Sequence, residues 1–147
     1  MDDGASRDVL IAFDAEPGIF PQLYIGVKRL ADLERFIAIV DELASGSDVS
    51  VEIADPDWAY LENVSSVQLR VADAGASAIR IEPSTKGVIC EWTNDSVEWE
   101  FASDLLKVLR EGRPGFQYLP PEVDNAEVEF DSGGHFGEES GSPGLST

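Results

Sequence analysis

The chain has 147 residues, with 29 Asp and Glu against 10 Lys and Arg, a formal net charge of −19. That length argues for one domain, and 43% hydrophobic residues supply one core. A surface so negative repels phosphate backbones and anionic headgroups, and no apolar run approaches the roughly 20 residues that span a bilayer, so neither a nucleic-acid nor a membrane partner is expected.

Residues Met1 to Asp8 have neither the basic start nor the apolar stretch of a secretory signal, and a cytoplasmic protein is expected. Two short apolar runs follow, Asp8 to Phe13 and Phe20 to Val27, separated by the turn signal Asp14-Ala15-Glu16-Pro17-Gly18. Both read as strands. Between Lys28 and Ala44, Leu30, Leu33, Ile37, Val40 and Ala44 recur at helical spacing, widened by Phe36 and Leu43, and Ser45-Gly46-Ser47 ends the helix. Period-two alternation then marks Val49/Val51/Ile53, Val67/Leu69/Val71, Ile79/Ile81 and Val88/Cys90/Trp92, with polar residues between them. One buried and one wetted face favour antiparallel pairing, with turns at Ala74-Gly75-Ala76 and Pro83 to Gly87.

A second helix is expected from Ser96 to Glu111. Asp95 and Glu98 have the spacing of a capping box, and Val97, Phe101, Leu105, Val108 and Leu109 form one broad apolar face that Ala102, Leu106 and Trp99 continue. Strands near Gly115 to Leu119 and Ala126 to Asp131 complete the domain, residues 1–131. From Ser132 to Thr147 the composition turns to Gly and Ser, which predicts a flexible tail. The expected fold is α+β: a curved, largely antiparallel sheet of about six or seven strands with two helices on one face. Leu33, Phe36, Ile37, Val40, Val67, Leu69, Val71, Phe101, Leu105 and Val108 are the expected core.

No catalytic centre is legible. The single imidazole, His135, falls in the Gly-rich tail, and Cys90 alternates with core residues and has no intrachain disulfide partner. One Cys and one His are too few for zinc, and no glycine loop of a nucleotide site precedes a helix. Neither an enzyme nor a cofactor or metal is expected. The rival is a carboxylate-based metal-dependent hydrolase, which needs two of Asp14, Glu16, Asp55 and Asp57 to converge.

The charge is uneven. After Arg113 the chain has no Lys or Arg, and Glu127, Glu129 and Asp131 alternate with Val128 and Phe130, which lays a row of carboxylates along one strand face. Trp58 and Tyr60 occupy an acidic apparent loop, and Trp99 opens the second helix near Glu100 and Asp104. Large rings beside carboxylates suit the binding of a basic protein partner. The other explanation is an acidic adaptor or structural protein from a halophilic or GC-rich source.

The helix opening Glu91-Trp92-Thr93-Asn94-Asp95-Ser96-Val97-Glu98-Trp99-Glu100 and the segments Phe116-Gln117-Tyr118-Leu119-Pro120-Pro121 and Glu127-Val128-Glu129-Phe130 are the residues on which a resemblance rests. In them the chain resembles the immunity proteins of bacterial polymorphic-toxin and contact-inhibition systems. The resemblance implies a small non-catalytic α+β inhibitor that occludes a cognate basic toxin, of nuclease or deaminase type, through an acidic surface. The contact residues expected on these grounds are Trp58, Tyr60, Trp99, Glu100, Asp104, Glu127, Glu129 and Asp131.

Overall fold

The computed structural model describes residues 8–46, 50–111 and 115–132. Along the chain run β1 (Val9–Asp14), β2 (Gln22–Val27), α1 (Leu30–Ala44), β3 (Ser50–Glu52), β4 (Tyr60–Glu62), β5 (Val64–Ala72), β6 (Ala78–Ser84), β7 (Gly87–Asp95), α2 (Ser96–Arg110), β8 (Phe116–Leu119) and β9 (Glu127–Asp131). The α+β class and both helices are as expected. The strands do not form one sheet. They divide into a five-stranded sheet, order β4-β1-β2-β9-β8, and a four-stranded sheet, order β3-β5-β7-β6.

Both sheets are mixed. The pairs β1/β4, β2/β9 and β5/β7 are parallel, and the other neighbours are antiparallel. Period two identifies the wetted face of a strand but leaves its neighbour open. The Pro83 to Gly87 turn does close a β6/β7 hairpin, whereas Ala74-Gly75-Ala76 leads to a strand that is not β5's neighbour, because β7 lies between them. Strand β7 takes this place because Cys90, Trp92 and Asn94 are all buried, as a central strand requires. The acidic segment expected as loop ends in a strand at Tyr60, since the three residues of β4 pair with Leu10, Ile11 and Ala12.

The core lies where the inner faces of both sheets meet the helices. Phe36 of α1 packs on Phe130 of the first sheet, centroids 4.8 Å apart, and on Trp92 of the second at 6.4 Å. Trp92 in turn meets Trp99 of α2 at 5.0 Å. Leu33, Phe36, Ile37, Val40, Val67 and Leu69 are buried as expected.

Helix α2 departs from expectation. Trp99, Ala102, Ser103, Leu106 and Leu109 are buried, whereas Phe101 and Val108 are exposed and Leu105 and Val71 only partly buried. The buried stripe is thus the side of the expected broad face that carries Trp99, Ala102, Leu106 and Leu109, and the Phe101 and Val108 side is left outside. Helix α1 makes the choice. The buried Ser103 faces it and its hydroxyl bonds Asp41, and Lys107 and Arg110 reach Asp41 and Glu34, each at 3.5 Å.

The cap of α2 is likewise modified. Asp95 Oδ1 accepts the Glu98 amide at 2.8 Å, but Ser77 Oγ stands where Glu98 would reach back: it accepts the Asp95 amide at 3.1 Å and donates to the Glu98 carboxylate. Of the expected tail, Ser132 is buried and its amide donates to Gly115 O at 3.1 Å. Residues 133–147, His135 among them, lie outside the described residues. No helix among the described residues is long and apolar enough to cross a membrane.

Candidate functional site

Helix α1 packs on the inner face of the five-stranded sheet, where Phe36 meets Phe130. Alternation in β9 buries Val128 and Phe130 and turns Glu127, Glu129 and Asp131 outward. Register then decides what surrounds them. Glu127, Glu129 and Asp131 stand opposite Gln22, Tyr24 and Gly26 of β2 on one side, and Tyr118 and Phe116 of β8 oppose Glu129 and Asp131 on the other. The three carboxylates thus lie between Tyr24 on one side and the Phe116/Tyr118 pair on the other. Further across the same face come Leu10, Ala12 and Asp14 of β1 and Tyr60 and Glu62 of β4. None of these outward positions holds Lys or Arg.

Local chemistry holds the arrangement in place. Tyr24 donates its hydroxyl to Asp131 Oδ2 at 3.0 Å, and Gln22 Nε2 donates to Glu127 Oε2 at 2.8 Å. The Tyr24 ring lies down along its strand, over Gly26. A Cβ at position 26 would come within 2.8 Å of the Tyr24 hydroxyl, so any side chain there would lift the ring. Phe116 and Tyr118 meet edge to face, centroids 5.4 Å apart, while both remain about half exposed.

Burial and like charge together disfavour ionisation on this face. Partial burial, and then the charges of Asp131 and Glu127, raise the Glu129 carboxyl above the ordinary carboxylate range. The Glu129 charge is also the main cause that raises the Tyr118 phenol. Burial first, and then Asp131, raises Tyr24. Among the described residues no Lys or Arg lies within salt-bridge distance of Glu127 or Glu129. A face that penalises its own charge is one that a cation would relieve.

Of the expected contact residues, Glu127, Glu129 and Asp131 come together here. Tyr60 shares the face from its far edge, three strands from β9 and roughly 14 Å away at ordinary strand spacing. Trp58 does not. Its ring is half-buried against the core, its Nε1 donates to Asp32 Oδ1 at 3.2 Å, and Arg35 stacks over it at 4.7 Å. Trp99 is a correction: it is fully buried, with Nε1 donating to Arg70 O at 2.8 Å, so it is a core residue. Glu100 and Asp104 are exposed on α2, outside the sheet face. Tyr24, Phe116 and Tyr118 were missed. The Phe116/Tyr118 alternation was legible, but its place beside β9 was not.

Of the carboxylates named for a metal-dependent hydrolase, Asp55 and Asp57 share one turn. Asp55 Oδ1 accepts the Asp57 amide at 2.9 Å within one turn, and its carbonyl accepts the Trp58 and Ala59 amides. Among the described residues no group of three or more His, Cys, Asp or Glu side chains is placed to hold one metal ion. Cys90 is buried, and burial pushes its thiol up to about 12, which suppresses the nucleophilic thiolate. No protein-family model, curated protein or solved structure matches the chain.

Proposed function

We propose that the protein is a stoichiometric binding module whose outward five-stranded sheet face captures a basic protein partner and occludes it. The observation that carries this reading is the Glu127, Glu129 and Asp131 row, set between Tyr24 and the Phe116/Tyr118 pair, in which neither Glu127 nor Glu129 has a Lys or Arg within salt-bridge distance among the described residues. The carboxylates steer a positively charged surface toward the sheet and fix its register, and the half-exposed rings supply desolvated contact. The partner in this proposal is a toxin domain whose Lys and Arg would otherwise engage nucleic acid. The protein then acts as an immunity protein, without turning over a substrate.

An acidic surface selected only for salt tolerance would be spread evenly. Here the outward face of the second sheet is charge-paired instead, which supports a localised binding role. The decisive experiment is co-purification with the products of neighbouring genes, followed by calorimetry of the purified pair across a salt series. Stoichiometric binding that weakens with salt is the expected outcome. The proposal is withdrawn if no basic partner binds more tightly than about micromolar, roughly −8 kcal/mol, at physiological ionic strength.

A further inference from the structure

We propose that the groove between α2 and the β8/β9 end of the first sheet seats an extended basic segment of the partner, one bulky apolar or aromatic side chain flanked by Arg or Lys. This deepens the binding-module reading and rests on it. The groove is open to solvent and offers about 1050 Å³, above the roughly 300–1,000 Å³ of small-molecule pockets, and so has room for several residues of a chain. Its walls carry three rings from three separate parts of the fold: Phe20 before β2, Phe101 on α2 and Tyr118 on β8. They are 46%, 55% and 52% exposed, although each could have been buried at a gain.

Charge selects the occupant. Every charged group lining the groove is a carboxylate: Glu98, Glu122, Asp124 and Glu127. A second copy of this chain would set acidic rim against acidic rim at a net charge of −19 each, and the chain beyond Ser132 offers Glu138 and Glu139 with no Lys or Arg. An arginine-flanked segment satisfies both the rings and the rim, since guanidinium groups stack on aromatic faces and pair with carboxylates.

The groove is also preformed. The loop from Pro120 to Ala126 is fastened to the second sheet: Pro120 O accepts Trp92 Nε1 at 2.8 Å and Asn94 Nδ2 at 2.9 Å, and Asn125 Nδ2 donates to Ile79 O at 2.8 Å. A fixed wall lowers the ordering cost of binding. Tyr118 and Glu127 belong to both the groove and the acidic sheet face, so a segment seated in the groove extends the same interface. On the helix side, Glu100 and Asp104 flank the exposed stripe of Val97, Phe101 and Val108.

The test uses the full chain, isotope-labelled for amide chemical-shift mapping. The probe is a short peptide with one tryptophan between arginine pairs; the controls replace tryptophan by alanine or arginine by glutamate. The expected result is perturbation at Phe101, Tyr118 and Val123, with at least about tenfold weaker binding of the alanine peptide and none of the glutamate peptide. Phe101→Asp and the pair Glu122→Lys with Asp124→Lys, all at exposed positions, should each weaken the tryptophan peptide by a similar factor. No perturbation at about millimolar peptide overturns the groove inference, as does unchanged affinity in both variants. Perturbation confined to Tyr24 and Glu129, abolished by Glu129→Lys alone, overturns the groove while leaving the sheet-face reading intact. Groove binding by the peptide with no basic protein partner in calorimetry would instead retain the groove and remove the wider function.

Discussion

The two sheets carry their charge in opposite ways on their outward faces. On the four-stranded sheet Arg70 and Arg80 share Glu91 at 3.4 and 3.5 Å, and Arg80 also meets Glu82 at 3.0 Å. On the five-stranded sheet Glu127, Glu129 and Asp131 line up with rings on either side and no cationic strand position. The first face is complete by itself: its cross-strand pairs satisfy one another and present little net charge. The second face keeps an unfavourable charge row on a well-formed sheet. Solubility alone requires no such segregation, because surfaces that only need to stay in solution tolerate interspersed signs.

The largest expected effect sets the two faces against each other directly. Glu127→Lys with Glu129→Lys should cost about 2–5 kcal/mol of partner affinity, while Glu82→Lys with Glu91→Lys should leave affinity nearly unchanged, both read by calorimetry. Equal losses from the two pairs would mean that only net charge matters. Next in size, Tyr118→Ala should cost about 2 kcal/mol of binding with the unfolding midpoint nearly unchanged, since the ring is half exposed and acts as an anchor at the interface. Smaller again is the stability effect of Glu91→Gln. These are exposed pairs, so chemical denaturation should show a loss of no more than about 1 kcal/mol, fading with added salt.

The smallest effect sharpens the comparison through pH. The Glu129 carboxyl is raised in the fold, so between its unfolded and folded values the native state holds more proton than the unfolded chain. Its contribution therefore makes stability fall as pH rises through that window, and below the unfolded value the penalty is absent. Glu129→Gln should accordingly be slightly more stable than the parent at neutral pH and equal to it in acid, as followed by thermal unfolding over a pH series. A destabilised variant at neutral pH would contradict the crowded-charge account of this face. Binding of a basic partner should weaken as the wild-type Glu129 takes up its proton.

Particular residues mark how far the sequence could be read. Leu33, Phe36, Ile37 and Val40 repeat on a single stripe, so α1 and its buried face were legible without knowledge of any neighbour. On α2 two apolar stripes compete, Val97/Phe101/Val108 and Trp99/Leu106/Leu109, and periodicity cannot rank them. Trp99 went inward because Trp92 and the helix α1 contact lie on that side, and Phe101 was left outside, where it became part of the groove. The β9 carboxylate row was legible for the same reason as α1: Val128 and Phe130 settle which face is inside.

By itself the sequence determined the α+β class, both helices, most strands and the outward row of Glu127, Glu129 and Asp131, because these depend on periodicity and neighbouring residues along the chain. Only the tertiary structure decided that the strands form two mixed sheets, that Trp58 and Trp99 fold inward, and that Tyr24, Phe116 and Tyr118 flank the acidic row. The physical reason is that strand pairing and the choice between competing apolar faces are settled by contacts between residues distant in the chain. Tyr24 and Asp131 share a hydrogen bond across 107 positions, and nothing local to either residue specifies the other.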